Sequence, residues 1–587
     1  MQKKWIVFVI VLLMTGGLWA AGRSSAPDIM ALTKTVSDGP HPRVLVWTDS
    51  AVYLEGTGPQ AVTLTGTIDP NGNLASRVFF LYLQNMGTGE VRYIDNSGLL
   101  AAGVVHALNG SGPDTFTTTD VSAVEDLVLV GDGGLAPAIN IADLDTGNYQ
   151  LVLDLREASG QRTVTASYFN FVVVDSVVTL QGNVTTDTTW TSNNAYFLND
   201  IAVFVMAGAT LTIEPGTYVI GTGENSALVV ARGAKIIADG TKARPIVMTS
   251  ANAVGDRNRG DWGGLILNGN APINTGEQDG EGNTGLFGGT DPNDSSGVLR
   301  YVRVEFAGIE FSPDNELNGI AFQGVGAGTV VDYIQVHFNL DDSVEFFGGT
   351  TQAKHLYLTG NADDTLDWVL GWQGKVQFAC GIQRGDDADQ GIEADNLEGA
   401  NNLEPRSNPT IYNGTFLGDP TNDFGSESDY GALLREGTAG TLRNLIIANF
   451  KEEAVNVDHD ATVTQANSGA LSFRNSLFFN NCTAPGDSSL CSGPNGGDQF
   501  ALDTDLPGGF TTRDWILGEA TNRIMDPLLR DTYFFAPDLR PALNSPALNK
   551  NFVVQPPDDG FFEPVDYIGC MSPVDDWSQG WTQIVPF

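Results

Sequence analysis

The chain has few basic residues for its length. Lys and Arg number 30 against 71 Asp and Glu, which gives a formal charge of −41 over 587 residues. Affinity for nucleic acid comes largely from Lys and Arg that neutralise phosphates, so we expect no nucleic-acid partner and no anionic membrane surface. The acidity suits divalent cations, a saline setting or plain solubility, and composition does not decide between these.

Histidine and cysteine are also scarce, at five and four residues. The His residues are too widely spread to support a Ser-His-Asp or Cys-His catalytic arrangement, and the Cys spacing resembles no zinc site. Cys482 and Cys491 bracket a short loop, and we predict that they form a disulfide. Cys380 and Cys570 lie far apart in the sequence, and they either pair or stay free.

Apolar runs are short throughout the chain, and the longest of them lies near the N-terminus. Lys3 and Lys4 precede an apolar run from Trp5 to Met14, and small residues follow up to Gly22. We interpret residues 1–22 as a secretory signal peptide, because the run is short for a membrane anchor. No later stretch is apolar enough to span a bilayer. We therefore expect a secreted protein or one on the outer cell surface of a bacterium, where disulfides are possible.

Glycine is abundant, with 69 residues, which favours turn-rich β structure over helix bundles. A polar linker at residues 23–42 precedes several short apolar or alternating runs in residues 43–175. Two of them, Asn148–Leu155 and Thr163–Val174, flank a Ser-Gly pair as the strands of a hairpin do. We predict an immunoglobulin-like β-sandwich that acts as a spacer or a binding module.

A long-period repeat begins at residue 177. The run from Gly208 to Ile213 is echoed 25 residues later by the run from Gly233 to Ala238, and later coils carry Asn at their corners. This pattern favours a parallel β-helix over residues 177–550. A leucine-rich repeat is excluded by the missing Leu pattern, and a propeller by the short period.

Gly- and Asp-rich insertions interrupt the coils at residues 252–297, 384–407 and 483–515. Long loops on a rigid solenoid commonly form binding surfaces. The tail, residues 551–587, is rich in Trp, and we predict that it caps the open end of the β-helix and protects its strand edges.

Two segments of the repeat are near copies of each other. Asp341 to Phe346 is followed 22 residues on by Asp363 to Trp368, and a looser copy, Asp389 to Asp395, comes 26 residues later. Because coils of this length stack, the copies predict a column of carboxylates, and such a column needs a cation or shared protons. Hard oxygen ligands without His or Cys favour calcium.

Alternation along each copy predicts which side chains join the column. Val344, Leu366 and Ile392 should point into the core, and the acidic residues beside them should point outward. The predicted calcium ligands are seven acidic residues drawn from the three copies: Asp341, Asp342, Glu345, Asp363, Asp364, Asp367 and Glu393. A solvated acidic face without an ion and a catalytic site are the alternatives.

Two segments give the repeat a family likeness. The run from Thr210 to Thr217 and the ending from Asp538 to Asn549 resemble the first and last coils of secreted bacterial surface proteins of the pectate-lyase-like superfamily. This resemblance implies a right-handed parallel β-helix, and hence an all-β chain with the β-sandwich in front. It does not imply one reaction, because such a fold hosts many functions.

The acidic motif itself also resembles a known metal site. Asp363-Asp364-x-x-Asp367, with Asp342 one coil earlier, resembles the calcium site of pectate lyases of polysaccharide lyase family nine. That resemblance implies a calcium ion that neutralises a uronate carboxylate and a lysine that abstracts the neighbouring proton. Lys375 or Arg435 would be the base, with Arg384 as the other nearby basic residue.

We conclude from the sequence that the chain is an exported, calcium-stabilised β-helix protein. The favoured role is non-catalytic binding of a polysaccharide or another cell-surface or matrix component, since no complete catalytic set is present. The alternative role is a calcium-dependent polysaccharide lyase that acts on acidic glycans. A purely structural module of a larger assembly is the third.

Overall fold

The computed structural model describes residues 43–48, 50–55, 61–62, 64–69, 77–94, 100–102, 127–128, 139–140, 144–157, 163–312, 315–421, 425–482, 499–500 and 506–584. The predicted signal peptide, the linker and Cys491 lie outside these residues. Within them, no helix has the length and apolar character to cross a bilayer.

The N-terminal region is made of β-strands. They are β1 (Arg43–Thr48), β2 (Val52–Leu54), β3 (Ala61–Val62), β4 (Leu64–Asp69), β5 (Arg77–Asn85), β6 (Val91–Ile94), β7 (Leu100–Ala102), β8 (Leu127–Val128), β9 (Ile139–Asn140), β10 (Gly147–Glu157) and β11 (Thr163–Val174). Strands β1, β4 and β8 form one sheet, and β2, β11, β10, β5, β6 and β7 form another. The predicted hairpin is present as the antiparallel pair β10–β11. The immunoglobulin-like topology stays a prediction.

The first coils of the solenoid follow directly. Their strands are β12 (Ser176–Thr179), β13 (Thr188–Trp190), β14 (Asn194–Phe197), β15 (Ala202–Val205), β16 (Thr210–Ile213), β17 (Tyr218–Gly221), β18 (Ala227–Val230), β19 (Lys235–Asp239), β20 (Ile246–Ser250), β21 (Leu265–Asn268), β22 (Gln278–Gly280), β23 (Gly285–Phe287), β24 (Gly297–Glu305), β25 (Ile309–Ser312), β26 (Asn315–Leu317) and β27 (Ile320–Gln323). A 3-10 turn, Glu281–Asn283, joins β22 to β23.

The later coils repeat the same plan. Their strands and helices are β28 (Val330–His337), β29 (Val344–Phe347), β30 (Gln352–Thr359), β31 (Leu366–Val369), β32 (Lys375–Ile382), β33 (Glu393–Ala394), β34 (Thr410–Tyr412), β35 (Thr415–Leu417), β36 (Leu433–Leu434), β37 (Gly440–Arg443), β38 (Ile446–Ala448), β39 (Asn456–Val457), α1 (Asp460–Ser468), β40 (Leu471–Arg474), β41 (Leu477–Phe479), α2 (Thr512–Gly518), β42 (Arg523–Ile524), β43 (Leu529–Asp531) and β44 (Asp538–Pro541). Short 3-10 turns lie at Pro507–Gly509 and Pro546–Leu548.

Two long parallel sheets run the length of the solenoid. One has eighteen strands, from β12 to β42, and the other has nine, in the order β15, β18, β21, β27, β29, β31, β33, β36 and β39. Each coil contributes a strand or two to the first sheet and one strand to the second. Parallel strands stacked coil on coil, with short turns between the sheets, form the parallel β-helix that the repeat predicts.

One corner of the coil is a column of residues with left-handed backbone. Tyr301, Tyr333, His355 and Phe378 have φ between 49° and 63°. Their rings stack, with centroids 4.4 Å apart for Tyr301 and Tyr333 and 4.1 Å apart for Tyr333 and His355. Asn413, Asn444 and Asn475 continue the corner at φ of 56° to 58°. Asn tolerates this conformation well, which explains the corner Asn of the repeat.

Apolar side chains fill the solenoid. Val344, Leu366 and Ile392 are completely buried in its core, as the alternation predicts. Trp368 and Trp372 are equally buried, and Trp372 stacks on Phe346 at 4.1 Å. These Trp rings are therefore part of the core and do not form a platform for a sugar.

The C-terminal segment, residues 551–584, lies along the side of the solenoid, and we call it the C-terminal strap. The corner residues Asn413, Asn444 and Asn475 donate side-chain hydrogen bonds to backbone carbonyls of the strap at 2.7 to 2.9 Å. A disulfide joins Cys380 to Cys570, with Cα atoms 5.6 Å apart. The sequence predicts that this tail caps the open end, but the three Asn amides bind it along the flank of the solenoid instead.

The end of the solenoid is covered by a different segment. Ile516 of α2 is buried in the solenoid core, with Phe510 and Trp515 packed beside it. The N-terminal region contacts the other end of the long sheet, where Asn148 donates a hydrogen bond to the carbonyl of Gly216 at 2.8 Å. The strap and the N-terminal region therefore cover the eighteen-stranded sheet, whereas the acidic copies lie at the nine-stranded sheet.

Candidate metal site

The three acidic copies occupy equivalent places in three consecutive coils. Glu345 of β29 pairs in register with Asp367 of β31, and Asp367 pairs with Glu393 of β33. Strand alternation turns these carboxylates away from the core, since Val344 and Leu366 beside them point inward. This is the strand column of the site.

A second column lies at the corner that precedes these strands. The carboxylate of Asp342 accepts a hydrogen bond from the backbone N–H of Asp364 at 2.9 Å, and Asp364 accepts one from the backbone N–H of Gln390 at 2.6 Å. Gln390 in turn accepts from the backbone N–H of Tyr430 at 3.1 Å. The next residue is Gly391. A side chain there would be too close to the neighbouring coil, because its Cβ would lie 2.7 Å from the carbonyl oxygen of Gly431.

The third column contains Asp341, Asp363, Asp389 and Asp429, one residue before the corner column in each coil. Backbone hydrogen bonds link the later members, from the N–H of Asp389 to the carbonyl of Asp363 at 3.2 Å and from the N–H of Asp429 to that of Asp389 at 2.9 Å. This spacing places like charges one coil apart, where they repel.

A cavity of about 350 Å³ opens on the three columns. The side chains that line it are almost all acidic: Glu281, Glu316, Asp341, Asp342, Glu345, Asp363, Asp364, Asp389, Gln390, Glu393 and Arg435. Glu281 and Glu316 come from two hairpins inserted between coils, β22–β23 and β25–β26. The sequence contains no periodic signal for them, because an inserted hairpin folds back outside the repeat.

Three groups of carboxylates are close enough to share one ion, with oxygen atoms within 4.8 Å of one another. They are Asp342, Glu345 and Asp367; Asp341, Asp342 and Asp363; and Asp363, Asp364 and Asp389. In the first group Asp367 is 7% exposed, and its buried Oδ1 has no hydrogen-bond partner. A buried, unsatisfied carboxylate oxygen costs free energy that a bound cation removes.

Burial and mutual repulsion raise the pKa values of the cluster. Burial raises the pKa of Asp367 to about 8, with a further increase from Asp395, and that of Glu393 to about 9, with a further increase from Asp367. The pKa values of Asp342 and Asp364 lie well above the ordinary value, first because both are buried and then because of neighbouring carboxylates. Without a counter-ion, the cluster therefore holds protons at neutral pH.

Arg435 is the one basic residue that lines the cavity within the described part of the chain. Its Nη2 lies 2.7 Å from Oε2 of Glu393, and its Nε lies 3.0 Å from Oδ1 of Asp395. Burial alone lowers its pKa, but the charges of Glu393 and Asp395 outweigh burial and raise the pKa above the ordinary arginine value. Arg435 thus already forms ion pairs with two carboxylates and neutralises part of their charge.

The structure does not bring the other two basic residues to the cavity. Lys375 lies on β32 of the long sheet, where its Nζ is 2.5 Å from Oδ2 of Asp559 in the strap. Arg384 is buried beside Asp386, with its guanidinium 5.4 Å from the ring centre of Phe338. The lysine that the lyase resemblance requires is therefore absent from the residues that line the cavity.

The family model of the pectate-lyase like beta helix domain matches residues 182–490, more than half of the chain. The chain belongs to this family. The match contains the predicted ligands and both inserted hairpins, so the acidic cavity is part of the pectate-lyase-like domain. No curated protein and no solved structure matches the chain.

The seven predicted ligands thus lie together at one place in the pectate-lyase-like domain. Sequence reasoning missed Asp389, although it occupies in the third copy the position of Asp363 in the second. It also missed the hairpin residues Glu281 and Glu316. The pairing of Cys482 with Cys491 stays a prediction, because Cys491 lies outside the described residues.

Proposed function

We propose that the protein is an exported, calcium-holding member of the pectate-lyase-like family that binds acidic polysaccharide at a cell surface or matrix without cleaving it. The observation that carries this proposal is the composition of the cavity. Nine carboxylates line it, and its single described cation, Arg435, is already paired with Glu393 and Asp395.

The donor set suits calcium. Calcium takes six to eight oxygen ligands in flexible geometry, whereas zinc and copper prefer nitrogen or sulfur. The cavity offers oxygen donors from three coils, and no His or Cys lines it within the described residues. Asp342, Glu345 and Asp367 are the best-placed ligands, since Asp367 Oδ1 lacks any other partner.

A bound calcium also explains the choice of partner. An anionic glycan does not approach nine carboxylates unaided, because like charges repel. A cation with open coordination positions reverses that repulsion and can bridge the protein to a uronate carboxylate. The N-terminal β-sandwich then acts as a spacer or as a second binding module.

Eliminative cleavage is the second candidate, and one observation favours it: Arg435 lines the cavity in which an acidic glycan would be bound. A base must accept a proton, however, and the raised pKa of Arg435 opposes this. The chemistry of the described cavity residues therefore supports binding over cleavage.

One experiment tests both candidates on the full-length secreted chain. Melting temperature and binding of pectate and alginate oligomers are measured with calcium and with a chelator, and unsaturated products are followed by ultraviolet absorbance. We expect a calcium-dependent rise in melting temperature, calcium-dependent binding and no product. Product formation would make the protein a lyase, and a calcium-induced rise without any binding would leave a purely structural module.

A further inference from the structure

A second and larger cavity, of about 1220 Å³, opens beside helix α1. One wall is the loop at residues 399–403, which follows β33, and the other is residues 456–461, which contain the start of α1. Thr464 and Leu506 complete the described lining. The second cavity shares no described lining residue with the acidic cavity, so the two are separate features of the molecule.

The second cavity differs from the acidic cavity in its charge. Asp458 and Asp460 are its two carboxylates, and no Lys or Arg lines it within the described residues. An anionic ligand would meet repulsion there without a basic residue to offset it. Neither carboxylate belongs to a group of three possible metal ligands in the described part of the chain. The other lining groups are uncharged amide, hydroxyl, backbone and apolar groups and one imidazole, a set that suits an uncharged ligand.

The loop wall is held in place by side chains behind it. The guanidinium of Arg406 donates hydrogen bonds to the carbonyl of Asn401 at 2.8 Å and to Oδ1 of Asn402 at 3.1 Å. The buried side chain of Asn396 donates to the carbonyls of Asn401 and Leu403 at 3.2 and 3.1 Å. These contacts leave the side-chain amide of Asn401 without a hydrogen bond to any described residue. A loop that is ordered before the ligand arrives loses less conformational entropy on binding.

The helix wall offers hydrogen-bond donors. The side chain of His459 does not cap α1, and its carbonyl accepts from the backbone N–H groups of Thr462 and Val463. The N–H groups of Asp460 and Ala461 have no partner among the described residues. Such N–H groups at the start of a helix are satisfied by water or by a ligand. Donors therefore lie on both walls, and the two carboxylates can accept hydrogen bonds from hydroxyl groups.

Apolar side chains also line the second cavity. Leu403 is 38% exposed, and Leu506, Ala400 and Ala461 lie around the same space. Ligand sites commonly combine apolar surface with a few fixed polar groups. A pyranose ring matches this combination, because it has hydroxyl groups around its edge and C–H groups on its faces.

We propose that the second cavity binds an uncharged sugar residue of a glycan. The loop amides and the first N–H groups of α1 donate to its hydroxyl oxygens, Asp458 and Asp460 accept from its hydroxyl groups, and Leu403 and Leu506 pack against its ring. This goes beyond the proposed function, because it needs neither calcium nor a carboxylate on the ligand.

Calorimetric titration of the full chain with uncharged oligomers of galactan, xylan and chitin, in a chelator, tests the proposal. We expect binding to at least one of them. Ala461→Trp should abolish this binding, because the added ring fills the cavity. Asn467→Trp is the matched control, since Asn467 is exposed on the same helix and does not line the cavity; it should bind as the parent does. Equal melting temperatures of the two variants would show that both are folded.

A smaller substitution tests the loop wall. Asn401→Ala should weaken binding about tenfold, because one hydrogen bond to the ligand is lost. Its melting temperature should equal that of the parent, since the side-chain amide of Asn401 bonds to no described residue. Undiminished affinity in both Asn401→Ala and Ala461→Trp would place the bound sugar elsewhere and overturn the proposal.

Calcium-dependent binding of pectate, measured in the same variants, keeps this inference apart from the proposed function. Failure of every uncharged oligomer to bind the parent overturns the inference alone if pectate still binds. Loss of pectate binding in Ala461→Trp but not in Asn467→Trp would make the two cavities one site for acidic glycan and would also overturn it. Tighter binding of chitosan, the cationic counterpart of chitin, would assign the cavity to amines instead.

The uncharged sugar has two possible sources, a neutral glycan or neutral residues of the acidic polysaccharide itself. Pectate with galactan side chains and pectate without them, compared in the presence of calcium, separate these sources. Tighter binding of the branched polymer in the parent, lost in Ala461→Trp, supports a sugar from the same polysaccharide. Equal binding of both polymers, together with binding of a free neutral oligomer, supports a separate neutral glycan.

Discussion

The carboxylate of Asp342 accepts a hydrogen bond from the backbone N–H of Asp364, at 2.9 Å, one coil further along the solenoid. Asp364 repeats this contact with the backbone N–H of Gln390. One oxygen of each carboxylate therefore holds two coils together, and both residues also belong to groups of carboxylates that are close enough to share an ion. The corner aspartates are both structural elements of the β-helix and candidate metal ligands.

Asp364→Ala should be less stable than Asp364→Asn. Both changes remove the charge, but Asn keeps an oxygen that accepts the N–H of Gln390, whereas Ala leaves that buried N–H without a partner. The difference should be about 1–3 kcal/mol, measured by denaturant unfolding in the presence of a chelator. Equal stabilities would show that the hydrogen bond between the coils contributes nothing.

Asp367→Asn should have opposite effects with and without calcium. Without calcium the change removes a buried charge whose pKa is raised to about 8, so the melting temperature should rise at pH 8. With calcium, the variant should lose most of the ion-induced rise. Glu398→Gln is the control, because Glu398 is exposed and does not line the cavity, and it should respond to calcium as the parent does.

The stability of the metal-free protein should depend on pH through the same groups. Burial, together with neighbouring carboxylates, raises the pKa values of Asp363, Asp367 and Glu393 to about 6, 8 and 9, above about 4 in the unfolded chain. The folded state then binds protons more tightly, so this contribution is fully present below about pH 4 and is lost as pH rises through the folded pKa values.

The contribution of Asp367 to this pH dependence is measured by comparing the melting temperature of the parent with that of Asp367→Asn. The melting temperature of the parent minus that of Asp367→Asn should fall steadily from about pH 5 to about pH 9 in a chelator. Calcium should reduce this slope, because it binds the deprotonated carboxylates and replaces their protons. A difference independent of pH would mean that Asp367 titrates normally.

The disulfide of the strap should contribute to stability. Cys380 and Cys570 are 190 residues apart, so their bond removes much conformational freedom from the unfolded chain. Replacing both by Ser should lower the free energy of unfolding by about 2–5 kcal/mol. Calcium binding should persist, because neither residue lines the acidic cavity; loss of calcium binding would show that the strap shapes the site.

The repeat predicts the solenoid well because its signal is periodic. The copies at residues 341–346 and 363–368 are one coil apart, and alternation within them places Val344 and Leu366 in the core, as the structure has them. Periodicity also brings the seven predicted ligands together without any knowledge of the fold. What it predicts is the part of the molecule in which neighbouring coils are equivalent.

The parts of the molecule that lie outside the repeat were not predicted, because they carry no periodic signal. Glu281 and Glu316 reach the cavity from inserted hairpins, whose direction depends on contacts outside the repeat. The strap binds through its backbone carbonyls, which no sequence pattern reveals. A partial signal was present in the corner Asn residues, which recur every 31 residues at positions 413, 444 and 475 and whose amides bind the strap.

Arg435 is either a counter-charge for the acidic cavity or a catalytic base, and a neutral substitution distinguishes these two roles. Arg435→Gln leaves Glu393 and Asp395 without their partner, so the metal-free protein should be less stable and the calcium-induced rise in melting temperature should be larger. Lys375→Gln is the control, since it removes a partly exposed pair with Asp559 on the other sheet and should not change the response to calcium.

The same two variants bear on catalysis. If Arg435 acts as a base in the parent protein, Arg435→Gln should abolish an unsaturated product that Lys375→Gln retains. We expect neither protein nor the parent to form product, because the carboxylates that hold Arg435 raise its pKa and keep its proton in place. An unchanged calcium response in Arg435→Gln, together with a lost product, would assign Arg435 to the reaction instead of to the charge balance of the cavity.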